Sequence, residues 1–253
     1  MSLVGKLVAI GERGERAVLF TVIEGDGVGR KLLAVEGGGV DGDGPPELAE
    51  HADEILRRGR NRLLELDGRR VFAEVYGPPP RIFVYGAVDT AEALCRSAQL
   101  LGWTSIVADA RAKFATRERI PTADELIVAW PQEAFAQVAP DHQTAVVVLT
   151  HDDKFDEPAL LAALASEAFY IGALGSRRNQ ERRRGRLLAA GVAEAQLERI
   201  SGPCGLDIGA DSQAETALSI VAEILAARAG RGGGPLRQAP HRIHVEVEEP
   251  VRG

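Results

Sequence analysis

The chain has little of what would tie it to a disulfide scaffold, a polyanion or a membrane. Its 253 residues include only two cysteines, Cys95 and Cys204. That is too few for a disulfide framework, so a reducing, cytoplasmic setting is the expectation. Basic residues are the minority: 30 Lys and Arg against 37 Asp and Glu give a formal net charge of −7. This argues against general nucleic-acid binding, which carries a basic footprint. The opening stretch, MSLVGKLVAIGERGERAVLF, is interrupted between Gly11 and Arg16. Neither a signal peptide nor a run of about 18 apolar residues able to span a membrane is expected. No internal repeat is evident. What is present, 45% apolar and 26% charged residues, suits a globular protein of one large domain or of a small and a medium one.

Texture divides the chain. In residues 1–77, AVLFTVIE (17–24) reads as a strand and is followed by a glycine-laden segment from Gly25 to Gly44. PELAEHADEILRRGRNRLLEL (46–66) predicts one helix, since its acidic first turn and basic later turns suit the helix dipole. VFAEVY (71–76) reads as a strand, and Gly77-Pro78-Pro79-Pro80 is a stiff break and the expected domain boundary. From Arg81 onward strands and helices alternate. RIFVYG and AFYIGAL read as strands, and SIVAD, ELIVAW and TAVVVLTH are continuous apolar runs of the kind buried on both faces. Helical segments separate several of them, and SQAETALSIVAEILAARAG closes the series. The pattern predicts an α/β fold: a Rossmann-like, doubly wound parallel sheet over residues 78–230, with a smaller N-terminal α+β domain over 1–77. Residues 231–253 read as a flexible tail in which HVEVE (244–248) adds an edge strand.

The first turn of the second domain is where a dinucleotide fold grips phosphate. Its strand ends at Gly86, and the next ends at Asp109, where a ribose-binding acid sits. The turn reads Gly86-Ala87-Val88-Asp89-Thr90-Ala91. Glycine is wanted where Val88 stands, because a side chain there blocks the pyrophosphate. Asp89 repels phosphate as well, while suiting an N-cap. NAD(P) binding is therefore weakened at this turn.

A second turn offers the opposite sign. The run ending in Leu174 meets Gly175-Ser176, and six arginines follow between Arg177 and Arg186. A strand that stops at glycine and opens a helix presents free backbone N–H groups, so Ser176, Arg177 and Arg178 make an anion site. Arginine in a first helical turn opposes the dipole, and a bound anion offsets that cost. Arg182, Arg183, Arg184 and Arg186 are expected to cover a solvent-facing helix.

The segments FAEVYGPPPRIFVYGA, VADARAKFATRERIPTADELI, VVVLTHDDKFDEPALLAAL, YIGALGSRRNQERRRGRLLAAGV and ISGPCGLDIGADSQAETALSIVAEI resemble the xanthine dehydrogenase accessory protein family (XdhC/CoxI-like). The likeness runs from about Val71 to Ala229. It implies a maturation chaperone that binds and protects the molybdenum cofactor and inserts it into a molybdenum hydroxylase of the xanthine or carbon monoxide dehydrogenase type. It implies that hydroxylase as partner, with a cysteine desulfurase and a second copy of the chain as further candidates, and no enzyme activity of its own. The resemblance carries cofactor-binding roles onto Gly86, onto Asp109 and Arg111, onto Thr150, His151 and Asp152, onto Gly172, Gly175, Ser176 and Arg177, and onto Gly205, Asp207, Ile208 and Gly209. The front departs from the family. Its Gly-Ser-x-Pro-Arg and Gly-Gly-Cys-Val-Glu elements correspond to Gly27-Val28-Gly29-Arg30 and Gly37-Gly38-Gly39-Val40-Asp41, which lack the cysteine.

Each remaining candidate has a plain reading beside a functional one. His151 closes a strand at the carboxyl edge, where ligands bind in open α/β sheets, and equally caps the next helix. Cys204 is a weak candidate metal ligand, since a free cysteine is more often a small buried hydrophobe. Gly205 and Asp207 belong either to a ligand-contacting loop or to a turn leading into a helix capped near Asp211 or Ser212. No catalytic constellation emerges. The rival functions are an NAD(P)-dependent oxidoreductase using the same crevice and a docking scaffold without cofactor.

Overall fold

A computed structural model describes residues 2–239 and 247–248. The chain divides into two compact units, one running from Pro79 to Gly233 and the other made of the residues on either side.

The first unit begins with a helix that the glycines Gly5 and Gly11 hide from a reading of the sequence. α1 (Leu3–Glu12) is capped by Ser2, whose hydroxyl accepts from the Gly5 N–H at 3.2 Å. β1 (Ala17–Glu24), β2 (Lys31–Val35) and β3 (Val40–Gly42) follow, so the glycine-laden segment holds two strands rather than loop alone. The helix expected over 46–66 is corrected. A 3-10 turn (Pro46–His51) leads into α2 (Ala52–Arg58), which ends at Gly59. RLLEL instead forms β4 (Arg62–Leu66), paired antiparallel with β5 (Arg69–Tyr76). Asp67 and Gly68 between them both have positive φ, 49° and 74°. This is the two-residue Asp-Gly turn whose twist matches a hairpin. The turn chemistry overrides the helical propensity of Leu and Glu. A parallel pair of residues, Val247–Glu248, adds to β4 at the sheet edge. The rest of the expected tail strand (244–246), with 240–243 and 249–253, lies outside the described residues.

In the second unit strands and helices alternate in the expected manner. β6 (Arg81–Tyr85), α3 (Asp89–Leu100), β7 (Thr104–Ala108), β8 (Glu125–Ile127), α4 (Pro131–Val138), β9 (Thr144–Val148) and α5 (Asp153–Ala165) come first. β10 (Tyr170–Ala173), α6 (Arg177–Ala189), α7 (Glu194–Leu197), β11 (Ile200–Ser201) and α8 (Gln213–Arg228) complete it. The sheet order is β11-β10-β9-β6-β7-β8, with every pair parallel. That is the doubly wound order in which the direction of strand addition reverses between β6 and β9, the switch point where such sheets open a crevice.

Strand periodicity sends alternate side chains to opposite faces. Ile82 and Val84 join Leu94 of α3 and Ile220 of α8 on one side of the sheet. Phe83 and Tyr85 join Phe135 of α4, Leu160 of α5 and Leu187 of α6 on the other. Each such fully buried side chain contributes about 1.5–3 kcal/mol relative to exposure. No helix among the described residues is long and apolar enough to cross a membrane.

Candidate functional site

The crevice side of the second unit is built by the segments that leave β6, β7, β9 and β10. After β6 the chain turns through Gly86, whose φ is +116°. A Cβ there would lie 3.2 Å from the Leu149 carbonyl carbon and from the Thr150 methyl, so β6 and the end of β9 can approach only around a glycine. Val88 is the N-cap of α3 and offers no side-chain cap. Asp89 is therefore not the cap expected of it. It occupies the first helical position and pairs with Arg119 at 3.1 Å. The Val88 side chain packs partly against the core beside α3.

Asp109, after β7, is buried and fully occupied. One carboxylate oxygen accepts from the Arg111 backbone N–H and Nε, both at 2.9 Å. The other accepts from the Ala87 N–H at 3.0 Å and Arg111 Nη2 at 2.8 Å. Burial alone would raise its pKa, but these donors hold the carboxyl below its ordinary value. The acid expected to read ribose thus locks the first turn to Arg111. The Arg111 guanidinium lies 4.2 Å from the Phe114 ring centroid and 5.6 Å from that of Phe155.

β9 runs out into Thr150, His151 and Asp152. Thr150 is buried and its hydroxyl has no hydrogen-bond partner. His151 is exposed, and the cap of α5 is Asp152, which accepts from the Lys154 N–H at 3.2 Å.

The second turn leaves β10 through Leu174, Gly175 and Ser176. Ser176 caps α6, its hydroxyl accepting from the Asn179 N–H at 3.3 Å. Arg177 and Arg178 follow, both exposed and without an ion pair among the described residues. Five residues further along, Arg183 is buried, which corrects the expectation of a solvent-facing role. Its Nε and Nη2 reach the two carboxylate oxygens of buried Asp156 at 2.7 Å each, and Nη2 also reaches the Leu174 carbonyl at 3.2 Å. Arg186 adds a contact to Asp153 at 2.9 Å. Gln180 donates to the Ala173 carbonyl at 3.1 Å. Arg182 is exposed and Arg184 half-buried, and both pair with surface acids. The buried pair went unread in the sequence although a signal existed. Arg183 stands four residues before Leu187, on the face that α6 buries.

The remaining candidates fall behind this turn or outside it. Gly172 lies within β10, where a Cβ would meet Tyr170 at 2.7 Å and Cys204 at 3.1 Å. Cys204 is buried in the core, and burial pushes its thiol up to about 12, with Glu223 adding to the effect. That is the setting of a small core residue rather than of a ligand, and no group of three His, Cys, Asp or Glu gathers for a metal among the described residues. Gly205 has φ +108°, and a Cβ would overlap the Ser219 hydroxyl of α8. Its N–H donates to Glu223 at 2.7 Å. Asp207 and Ile208 are exposed in the loop that follows, and the cap of α8 is Ser212. The strand ends therefore bring Gly86, Asp109, Arg111 and Thr150 to the β6 side of the crevice, and Gly175, Ser176, Arg177 and Arg178 to the turn after β10. Gly172, Cys204 and Gly205 form a layer packed on α8.

Comparison with known proteins agrees with this architecture. The XdhC Rossmann domain matches residues 82–224. A Bacillus subtilis (strain 168) protein described as a probable xanthine dehydrogenase subunit is 32% identical over 158 residues, covering 62% of this chain and 46% of that protein. The molybdenum cofactor insertion chaperone PaoD of Escherichia coli (strain K12) is 30% identical over 153 residues, covering 60% of this chain and 42% of that one. The chain thus spans less than half the length of these curated relatives. Among solved structures, a protein described as a xanthine dehydrogenase from Bacillus halodurans superposes with a TM-score of 0.66 at 23% identity, over 93% of this chain and 65% of that one. That likeness speaks to the fold.

Proposed function

The chain belongs to the XdhC Rossmann-domain family, and from that premise we propose that it is a maturation factor for a molybdenum hydroxylase, holding the molybdenum cofactor as cargo and passing it on. The observation that carries this reading is the turn after β10. The N-terminus of α6, the Ser176 hydroxyl and two exposed arginines without ion pairs among the described residues follow one another at this turn. Helix N-termini and arginine forks are the standard means of holding a phosphate. The cofactor's terminal phosphate is the group this donor set fits. The buried Arg183–Asp156 pair, with Arg183 also on the Leu174 carbonyl, ties α6 to α5 and to the segment that leaves β10. The relative named as a molybdenum cofactor insertion chaperone supports the same cargo.

A hydride-transferring oxidoreductase with NAD needs a carboxylate open to the ribose, and Asp109 is closed by Ala87 and Arg111. Titration of the purified chain with molybdenum cofactor, NADH and ADP separates the readings. Tight binding of the pterin is expected. Tight binding of NADH with no affinity for the pterin would sink the maturation role. Cofactor content of a co-expressed molybdenum hydroxylase, with and without this chain, then tests transfer.

A further inference from the structure

The end of β7 departs from a ribose site in a way that has chemistry of its own. The Asp109 side chain is 2% exposed, and its oxygens accept four hydrogen bonds from Ala87 and Arg111. A ribose diol could reach it only by displacing Arg111. What faces outward is Arg111 itself, with a side chain 35% exposed and Nη1 unpartnered among the described residues. Its guanidinium lies 4.2 Å from the centroid of Phe114. Lys113 Nζ lies 5.2 Å from the same centroid and the Arg119 guanidinium 4.9 Å. Three cations thus surround one half-buried ring, which holds them by their charge against its face.

The acids nearby do not cancel them. Asp109 is buried behind Arg111, and Asp89 offsets Arg119 alone. Asp152 acts on Arg111, the hydrogen bond from Arg111 to Asp109 being the largest cause of its raised pKa, but Asp152 is itself 3.6 Å from Lys154. Lys113 has no acidic partner among the described residues. A second observation lies just past β9, the strand that neighbours β6. Thr150 is 4% exposed with an unpartnered hydroxyl, and its methyl is 3.2 Å from where a Cβ on Gly86 would stand. A buried hydroxyl without a partner is unfavourable unless something polar meets it.

We propose that Arg111, Lys113 and Arg119 form a subsite for a phosphate monoester on the sugar of a nucleotide, in place of the diol subsite that a nucleotide fold carries there. An arginine at this position accommodates a sugar phosphate where an open acid takes the hydroxyls. A guanidinium pinned through Nε and Nη2 presents its remaining edge in a fixed direction, which suits a tetrahedral oxyanion. The subsite does not depend on the cargo reading, which concerns the turn after β10.

The test uses two probes that lack the pyrophosphate disfavoured by Val88: adenosine 2′,5′-bisphosphate and AMP. Calorimetric titration of the full chain is expected to show the bisphosphate binding about tenfold tighter or more, the scale of a charge-assisted phosphate contact. Lys113→Glu is expected to remove most of that preference and leave AMP unchanged, while Arg111→Lys weakens it. Arg182→Glu, a charge reversal on α6, is expected to leave it intact. Equal affinity for both probes, binding of neither, or equal losses in Lys113→Glu and Arg182→Glu would overturn the subsite. Pterin binding measured on the same variants keeps the two readings apart, since Lys113→Glu is expected to leave it unchanged.

Discussion

Two strand-to-helix turns of the same sheet have opposite electrostatic designs. After β6, both acids are answered locally: Asp109 by Arg111 and the Ala87 N–H, Asp89 by Arg119. After β10, Arg177 and Arg178 stand unanswered at the surface while Arg183, one and a half turns deeper, is paired with buried Asp156. The first turn uses its charges to close itself. The second leaves two arginines exposed above a buried pair. In a doubly wound sheet, any parallel strand that ends in glycine before a helix offers the same free N–H groups, so the proposed phosphate grip need not lie at the first turn.

The strongest perturbation of the contrast removes the brace under the second turn. Asp156→Ala leaves a buried guanidinium without its partner and is expected to cost about 3–5 kcal/mol in urea unfolding. Arg182→Ala, at the exposed neighbour, is expected to cost less than about 1 kcal/mol. A similar small loss in both would mean that the pair does not hold α6. Next comes the layer behind that turn. Gly205→Ala forces a Cβ into the Ser219 hydroxyl at a positive φ and is expected to destabilise by about 1–3 kcal/mol. An unchanged melting temperature would contradict the packing described.

Acid tests the closed turn. Asp109 titrates below its ordinary value because the Arg111 and backbone donors outweigh its burial. Its stabilising contribution is full above the ordinary carboxylate pKa and is lost as pH falls below that value, through the lowered pKa of the folded state. Stability measured from pH 6 down to pH 2 should therefore drop, and Asp109→Asn should drop less steeply over the same range. Equal slopes would show that Asp109 is not held by its donors. The smallest expected signal is silence from the thiols. Burial pushes both Cys95 and Cys204 up to about 12, so neither should react quickly with a thiol reagent at pH 8 until the chain is unfolded. Fast modification of Cys204 in the folded chain would reopen its candidacy as a ligand.

The second unit was legible in the sequence because parallel strands are buried on both faces and read as unbroken apolar runs. Strands such as RIFVY and TAVVV need no partner information to be seen. The first unit was less so. KLLAV is five residues between glycine turns, and RLLEL has the composition of a helix until Asp67-Gly68 is weighed as a hairpin turn. In the site, the placement of Ser176 to Arg178 at the start of a helix after a glycine could be read from position alone. The burial of Arg183 could not be read from charge, since an arginine in an arginine run looks solvated until its spacing from Leu187 is considered. Likewise, Asp109 has the sequence position of a ribose acid, and only the three-dimensional fold shows Arg111 turned back onto it.

In the proposed role, the turn after β10 holds the cargo through two particular arginines rather than through bulk charge. Binding of molybdenum cofactor to the purified chain, compared between Arg177→Glu and Arg184→Glu, tests this most directly. Arg177→Glu should weaken binding about tenfold or more, the effect of losing a charge-assisted contact, while Arg184→Glu should change it less than about twofold. Equal losses in the two variants would contradict that role.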